Sequence, residues 1–238
     1  MNIQQLLYEK DGGFRLRGMR TTRFETFLDA AFAFATTMLI ISIGDIPHTY
    51  TELVTALKGI PAFAASFATV LSFWMAHRKW SRRYGLEDFK SILISLAMVF
   101  ILLVYVYPLK LMFSALFAWI SHGWVPSEFS LSNLNELIHL FIIYGLGFAA
   151  MAFTFVLLYS RALNSDYLIP LDDVEKLLTR YEITSFVVLA ATGLLSALLA
   201  AVLPINVAAI AGFVYVTLPV SIPIVSVIYK RKRDRLEQ

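Results

Sequence analysis

Six long apolar runs constrain this chain more than any other feature of its sequence. A helix of about 20 residues, rising about 1.5 Å per residue, crosses a bilayer core of about 30 Å. The chain is 58% apolar and 16% charged over 238 residues, whereas soluble domains carry about 25% charged residues. We therefore predict an all-α, polytopic membrane protein with one six-helix domain over residues 1–238. The predicted spans are residues 24–43, 59–77, 91–113, 137–159, 183–203 and 207–229.

The distribution of cations predicts the topology. Of 20 Lys and Arg residues, 18 fall on one side of a six-span arrangement, and only Lys58 and Lys110 fall elsewhere. Loops on the cytoplasmic side of a membrane carry an excess of Lys and Arg. Both termini are therefore predicted to be cytoplasmic. The net charge of +3 needs no nucleic-acid partner, because the cations lie where this topology places them.

The sequence offers little for catalysis. The absence of cysteine excludes disulfides, thiolate metal sites and cysteine nucleophiles. The four histidines do not form a His-Glu-x-x-His pattern, and no Gly-x-Ser-x-Gly motif is present. We expect neither an enzyme nor a cofactor or resident metal.

The first span differs from an ordinary membrane helix in its polar residues. It carries Glu25 and Asp29 near its start and the pair Thr36-Thr37 at mid-depth. Acidic residues are costly in hydrocarbon, and those that persist usually face protein or water and often mark function. The threonines have a simpler alternative, since a mid-helix threonine often bonds back to a carbonyl one turn earlier.

Helical periodicity places several residues of this span on one side. At 100° per residue, a common stripe is formed by Phe34, Met38 and Ile41, with Thr37 at its edge and Arg23 and Phe27 on nearly the same side. The stripe fits either a core-facing helix or the hydrophobic lining of a pore with a hydroxyl ring beside it. Asp29 points about 140° away from Phe34 at this periodicity, which favours a hydrogen bond between helices.

The second span ends in a dense aromatic and basic boundary. Trp74 and His77 are three residues apart and share a helix face there. They fit an interfacial aromatic belt, or a buried network with Arg23, which the topology places at the same depth.

Together these residues resemble the transmembrane protein 175 family, the endolysosomal potassium channel and its bacterial relatives. The hallmark of that family is Arg-x-x-x-Phe-Ser-Asp in the first helix, and here Arg23-x-x-x-Phe27-Leu28-Asp29 opens the first span. Phe32-Ala33-Phe34-Ala35-x-Thr37 follows it, and Trp74-x-x-His77-Arg78 and Tyr107-Pro108 are also similar to the family. The plan of six spans with cytoplasmic termini extends the resemblance over nearly the whole chain.

The resemblance implies a homotetramer in the plasma (inner) membrane of a prokaryote, with four first helices lining a path for potassium and other monovalent cations. It implies constriction layers at Phe34, Met38 and Ile41, and a selectivity role for Thr37. An inter-helix network is implied for Arg23, Trp74 and His77, beside Phe27 and Asp29. No metal is held, and potassium only passes through.

Three departures from the family pattern bear on conduction. Leu28 replaces the serine of the motif, Ala30 stands where glycine is common, and Phe34 stands where a smaller aliphatic residue is usual. Phe34 could narrow or seal the path. A non-conducting relative is therefore an alternative to the channel, and so is a secondary transporter or proton pathway using Asp29 and His77. The sequence shows no repeated half or paired interrupted spans, the usual pointers to a transporter site.

Overall fold

The described residues of a computed structural model, 10–41, 46–127, 134–204 and 210–236, are almost entirely helical. Six helical segments are long and apolar enough to cross a membrane, which confirms the all-α, six-span fold class. The end of the predicted first span and the start of the last one lie outside the described residues. The helices are α1 (Arg23–Ile41), α2 (Tyr50–Lys58), α3 (Ile60–Tyr84), α4 (Phe89–Ile120), α5 (Leu134–Leu163), α6 (Asp173–Val202), α7 (Ile210–Phe213) and α8 (Leu218–Leu236), with a 3₁₀ turn, Val214–Thr217, between the last two.

Two helices extend well beyond the apolar runs. Helix α3 continues past the apolar run to Tyr84, because polar and basic residues support a helix as well as apolar ones do. Helix α6 begins with a capping box in which Asp172 accepts from the Glu175 N–H and Glu175 accepts from the Asp172 N–H. The turns that follow Asp172 are therefore continuous with the fifth span and form one helix with it.

Helices α5 and α6 pack most closely. A Cβ built on Gly145 would lie 2.6 Å from the Gly193 carbonyl oxygen, and one on Gly193 would lie 2.7 Å from the Gly145 oxygen. Only glycine fits at such a crossing, as small residues allow membrane helices to approach. Gly193, Ala197 and Ala201 follow one another at four-residue spacing, which places small residues along this side of α6.

The N-terminal segment of residues 10–22, here called the strap, was not predicted to be structured. It begins with a hairpin of β1 (Lys10–Asp11) and β2 (Phe14–Arg15), joined by Gly12 and Gly13 with φ of 57° and 89°. Positive φ at both central residues is typical of a type I′ turn. The strap then runs along the end of α3, where Gly18 donates its N–H to the Arg82 oxygen at 3.0 Å.

A buried carboxylate anchors the strap to α6. Glu175 is fully buried and accepts hydrogen bonds from the side chains of Arg15, at 2.6 Å, and Arg17, at 2.9 Å. Phe14 is also fully buried, and the guanidinium group of Arg83 lies 5.0 Å from its ring. The strap therefore joins the start of α1 to α3 and α6.

Both ends of the described chain lie at the same end of the bundle. Arg233 of α8 donates to the Gly12 oxygen at 3.4 Å.

At the same end of the bundle, an ion pair joins the loop before α4 to α5, since Arg161 donates to Asp88 at 3.0 Å. Burial raises the pKa of the Asp88 carboxyl, but hydrogen bonds from Ser91 and Arg161 outweigh it, so the pKa lies below its usual value.

Candidate functional site

Helix α1 has one face in the core of its own chain and one face outside it. The buried side chains are Leu28, Phe32, Ala35 and Leu39. Phe34 is 56% exposed and Ile41 is 62% exposed, and Thr37 is exposed between them. The stripe that contains Phe34 therefore does not pack into the bundle of a single chain. It faces a second copy, lipid or a pathway.

Met38 lies at the border between the two faces of α1. It is partly buried and packs against the main hydrophobic core. Of the four residues predicted to line a pore, it is the one with most contact to its own bundle.

The two mid-helix threonines of α1, Thr36 and Thr37, share one acceptor. Thr36 donates its hydroxyl to the Ala33 oxygen at 2.7 Å, and Thr37 donates to the same oxygen at 3.0 Å. A hydroxyl has one hydrogen to donate and two lone pairs. Because the hydrogen of Thr37 is directed at Ala33, its lone pairs remain available on the exposed face, where they suit a cation.

A hydrogen bond between helices fixes the start of α1 against α3. The Trp74 indole nitrogen donates to the Asp29 carboxylate at 2.7 Å. The Arg78 guanidinium carbon lies 5.5 Å from the Trp74 ring centroid, so a cation stacks on the ring that holds Asp29. A hydrogen bond to a carboxylate is stronger than one between neutral groups.

His77 is held one turn further along α3. It is buried, and its Nε2 lies 3.1 Å from the Ser95 hydroxyl of α4. It also lines a cavity of about 580 Å³ between the strap, α1 and α3. Among the described residues of one chain, Arg23 forms no hydrogen bond or ion pair with Trp74 or His77, and Phe27 is exposed.

Glu25 caps the N-terminus of α1, a role that was not predicted for it. It accepts from the Thr22 N–H at 3.1 Å, while the Thr22 hydroxyl accepts from the Glu25 N–H at 3.2 Å. This reciprocal pair is a capping box, and the Thr-x-x-Glu spacing was its sequence signal. The Ser81 hydroxyl of α3 also donates to Glu25, which ties the capped end of α1 to its neighbour.

Known proteins match this chain over nearly its full length. A potassium channel of Marivirga tractuosa is 33% identical over 235 residues, which cover 94% of each chain. The chain belongs to the TMEM175 family. The model of that family, described as the endosomal/lysosomal potassium channel TMEM175, matches residues 23–108, which include α1 and the Trp74–His77 end of α3. The relatives are channels and not enzymes.

The fold is also that of a solved TMEM175 structure. A crystal structure of a variant of the potassium channel MtTMEM175, in complex with a nanobody–MBP fusion protein, superposes with a TM-score of 0.80 at 30% identity. The match covers 93% of this chain and 99% of that one. The family resemblance inferred from the motifs is therefore confirmed, including the multi-pass membrane architecture.

Proposed function

We propose that this protein is a potassium-permeable cation channel in which four copies, each a single six-helix domain, place their α1 helices around a central path. The observation that carries the proposal is the exposed stripe of α1, with Phe34, Thr37 and Ile41 outside the core of their own chain. Membership of a family of potassium channels supports this interpretation. The bacterial relative favours the inner membrane of a prokaryote, with both termini in the cytoplasm.

The chemistry of the stripe suits a hydrophobic gate beside an oxygen ring. Four copies of Phe34 and Ile41 would form apolar layers, which control conduction by excluding water. Four Thr37 hydroxyls between them would supply oxygen ligands. The sequence has no Thr-Val-Gly-Tyr-Gly filter, so any preference for potassium over sodium must come from something other than that carbonyl cage. The Thr37 oxygens are our candidates, and we expect some passage of other cations.

The decisive experiment is ion flux from proteoliposomes that hold a potassium gradient, with valinomycin as the positive control and sodium as the comparison. Potassium flux that exceeds sodium flux is the expected result. Absence of flux while valinomycin still works would contradict an open channel. The mass of the protein in detergent separately tests the tetramer.

A non-conducting relative is the second candidate, and the bulk of Phe34 favours it. A phenyl ring in each of four copies fills more of a narrow axis than a smaller aliphatic side chain would. If the wild type is silent, Phe34→Ile should open the path, because it shortens the side chain and keeps its apolar character. Phe100→Ile is the matched control, since Phe100 is also an exposed phenylalanine, on α4. Equal flux in both variants would remove Phe34 from the path.

A further inference from the structure

The cations at the basic end of the bundle fall into two groups. Several cations of the strap, α3 and α5 are used within the protein, because Arg15 and Arg17 pair with Glu175, Lys79 and Arg83 pair with Glu182, and Arg161 pairs with Asp88. The last turns of α8 differ. In the described part of the chain, no ion pair is formed by Lys230, Arg231, Lys232 or Arg235. Four cations without an acidic partner sit where α8 leaves the apolar region.

Two of these cations continue an apolar stripe. Val220, Ile224 and Val227 are each at least half exposed, and their spacing of four and three residues places them on one side of α8. Arg231 follows Val227 by four residues, and Arg235 follows four residues later, so both lie on the same side. We call these five residues the α8 outer face.

The length of the α8 outer face matches one leaflet. Val220 and Arg231 are 11 residues apart, or about 16 Å along a helix, close to half of a hydrocarbon core of about 30 Å. Tyr229 indicates how deep in the membrane this part of α8 lies. Its hydroxyl lies 2.8 Å from the hydroxyl of Thr184 on α6. Tyrosine is enriched at the membrane–water interface, so we expect Arg231 and Arg235, which follow Tyr229, to lie near the lipid phosphates.

We propose that the α8 outer face binds one anionic phospholipid. The acyl chain lies along Val220, Ile224 and Val227, and Arg231 and Arg235 bind the phosphate. Arginine suits this role because its planar guanidinium group can bind a phosphate with two parallel hydrogen bonds. Topology alone requires cations at this end of the chain but does not require two arginines aligned with an apolar stripe. The proposal holds whether or not the protein conducts.

The test is thermal unfolding of the detergent-solubilised full chain with added phosphatidylglycerol or phosphatidylcholine. Phosphatidylglycerol should raise the melting temperature more than phosphatidylcholine does. The double variant Arg231→Gln/Arg235→Gln should lose most of this difference. Its matched control is Lys230→Gln/Lys232→Gln, which removes the same charge from the same turns but away from the α8 outer face. This control should keep most of the difference in melting temperature between the two lipids.

Four outcomes would overturn the proposal. The first is an equal rise in the melting temperature of the wild type with either lipid, and the second is an equal loss of the lipid difference in the two double variants. The third is a rise with soluble glycerol 3-phosphate as large as the rise with phosphatidylglycerol. The fourth is a change in the oligomeric mass of the arginine double variant while its lipid difference stays unchanged. The last outcome would make the α8 outer face an interface between copies. If a double variant does not accumulate, the single variants Arg231→Gln and Arg235→Gln replace it, and an unchanged lipid difference in both would also overturn the proposal.

Discussion

At the scale of single residues, Thr37 offers the sharpest test of the proposed path, because α1 contains its own control. Thr36 and Thr37 bond to the same Ala33 oxygen, but Thr36 points away from the exposed stripe. We expect Thr37→Ala to lower the potassium-to-sodium flux ratio about fivefold, since losing one oxygen contact costs about 1 kcal/mol. Thr36→Ala should leave the ratio unchanged. Equal ratios in the two variants would show that Thr37 does not contact the ion.

The hydrogen bond between Trp74 and Asp29 is a second residue-scale feature with a measurable consequence. Trp74→Phe removes the donor at 2.7 Å from the carboxylate and leaves the ring in place. We expect a loss of about 1–2 kcal/mol of stability, seen as a lower melting temperature, because a charged acceptor loses its partner. Trp119→Phe is the control, since Trp119 is exposed and its ring lies against the ring of Phe213. Equal melting temperatures for both variants would argue against a stabilising role.

The sequence indicated which residues of α1 share a face but did not indicate which face meets the bundle. Phe32 and Phe34 are both large and apolar, yet Phe32 is buried and Phe34 is exposed. Periodicity placed Phe34, Thr37 and Ile41 on one side. Because α1 is apolar on all sides, its sequence does not indicate which side packs against the bundle of its own chain. That choice depends on how α3 and α4 pack against α1, which a single helix does not encode.

At the scale of elements, the strap shows why contacts between residues far apart in the chain could not be predicted from the sequence. Arg15 and Glu175 are 160 residues apart, and each alone is typical of a solvated basic segment or a helix cap. The six spans could be predicted because each depends only on its own run of residues. The strap is ordered by pairing across the whole chain. It also depends on a close approach at Gly18, where a Cβ would lie 2.3 Å from the Ser81 oxygen.

The strap carries a prediction of its own. Glu175→Gln should lower stability by about 3 kcal/mol, because it leaves two buried arginine side chains without their carboxylate. It should also make the chain at Arg17 more accessible to trypsin, since the strap loses its anchor. Asp173→Asn is the matched control, because Asp173 is exposed and its pair with Lys176, at 3.7 Å, is of the surface kind that contributes little. Unchanged cleavage of the Glu175 variant would show that the strap is held by other contacts.

At the scale of the whole molecule, Arg23 can be tested for a role in contacts between subunits as opposed to contacts within its own subunit. It is exposed at the start of α1 and forms no ion pair or hydrogen bond among the described residues of one chain. It lies on the side of Phe27, Phe34 and Ile41, the side that four copies would bring together. Within one chain Trp74 donates to Asp29 and His77 is buried beside Ser95, so in the proposed tetramer the partners of Arg23 would be exposed groups of a neighbouring subunit.

We therefore expect Arg23→Ala to weaken the proposed tetramer and leave the subunit folded. If Arg23 makes one charged hydrogen bond at each of the four proposed interfaces, its loss, about 1.5–3 kcal/mol each, should shift the mass in detergent toward smaller species. Arg20→Ala is the control, because Arg20 is an exposed cation of the strap just before α1. If Arg23→Ala lowered the melting temperature of a protein that stayed tetrameric, Arg23 would contribute to the fold of its own subunit. If neither mass nor melting temperature changed, Arg23 would serve only to orient α1 across the membrane.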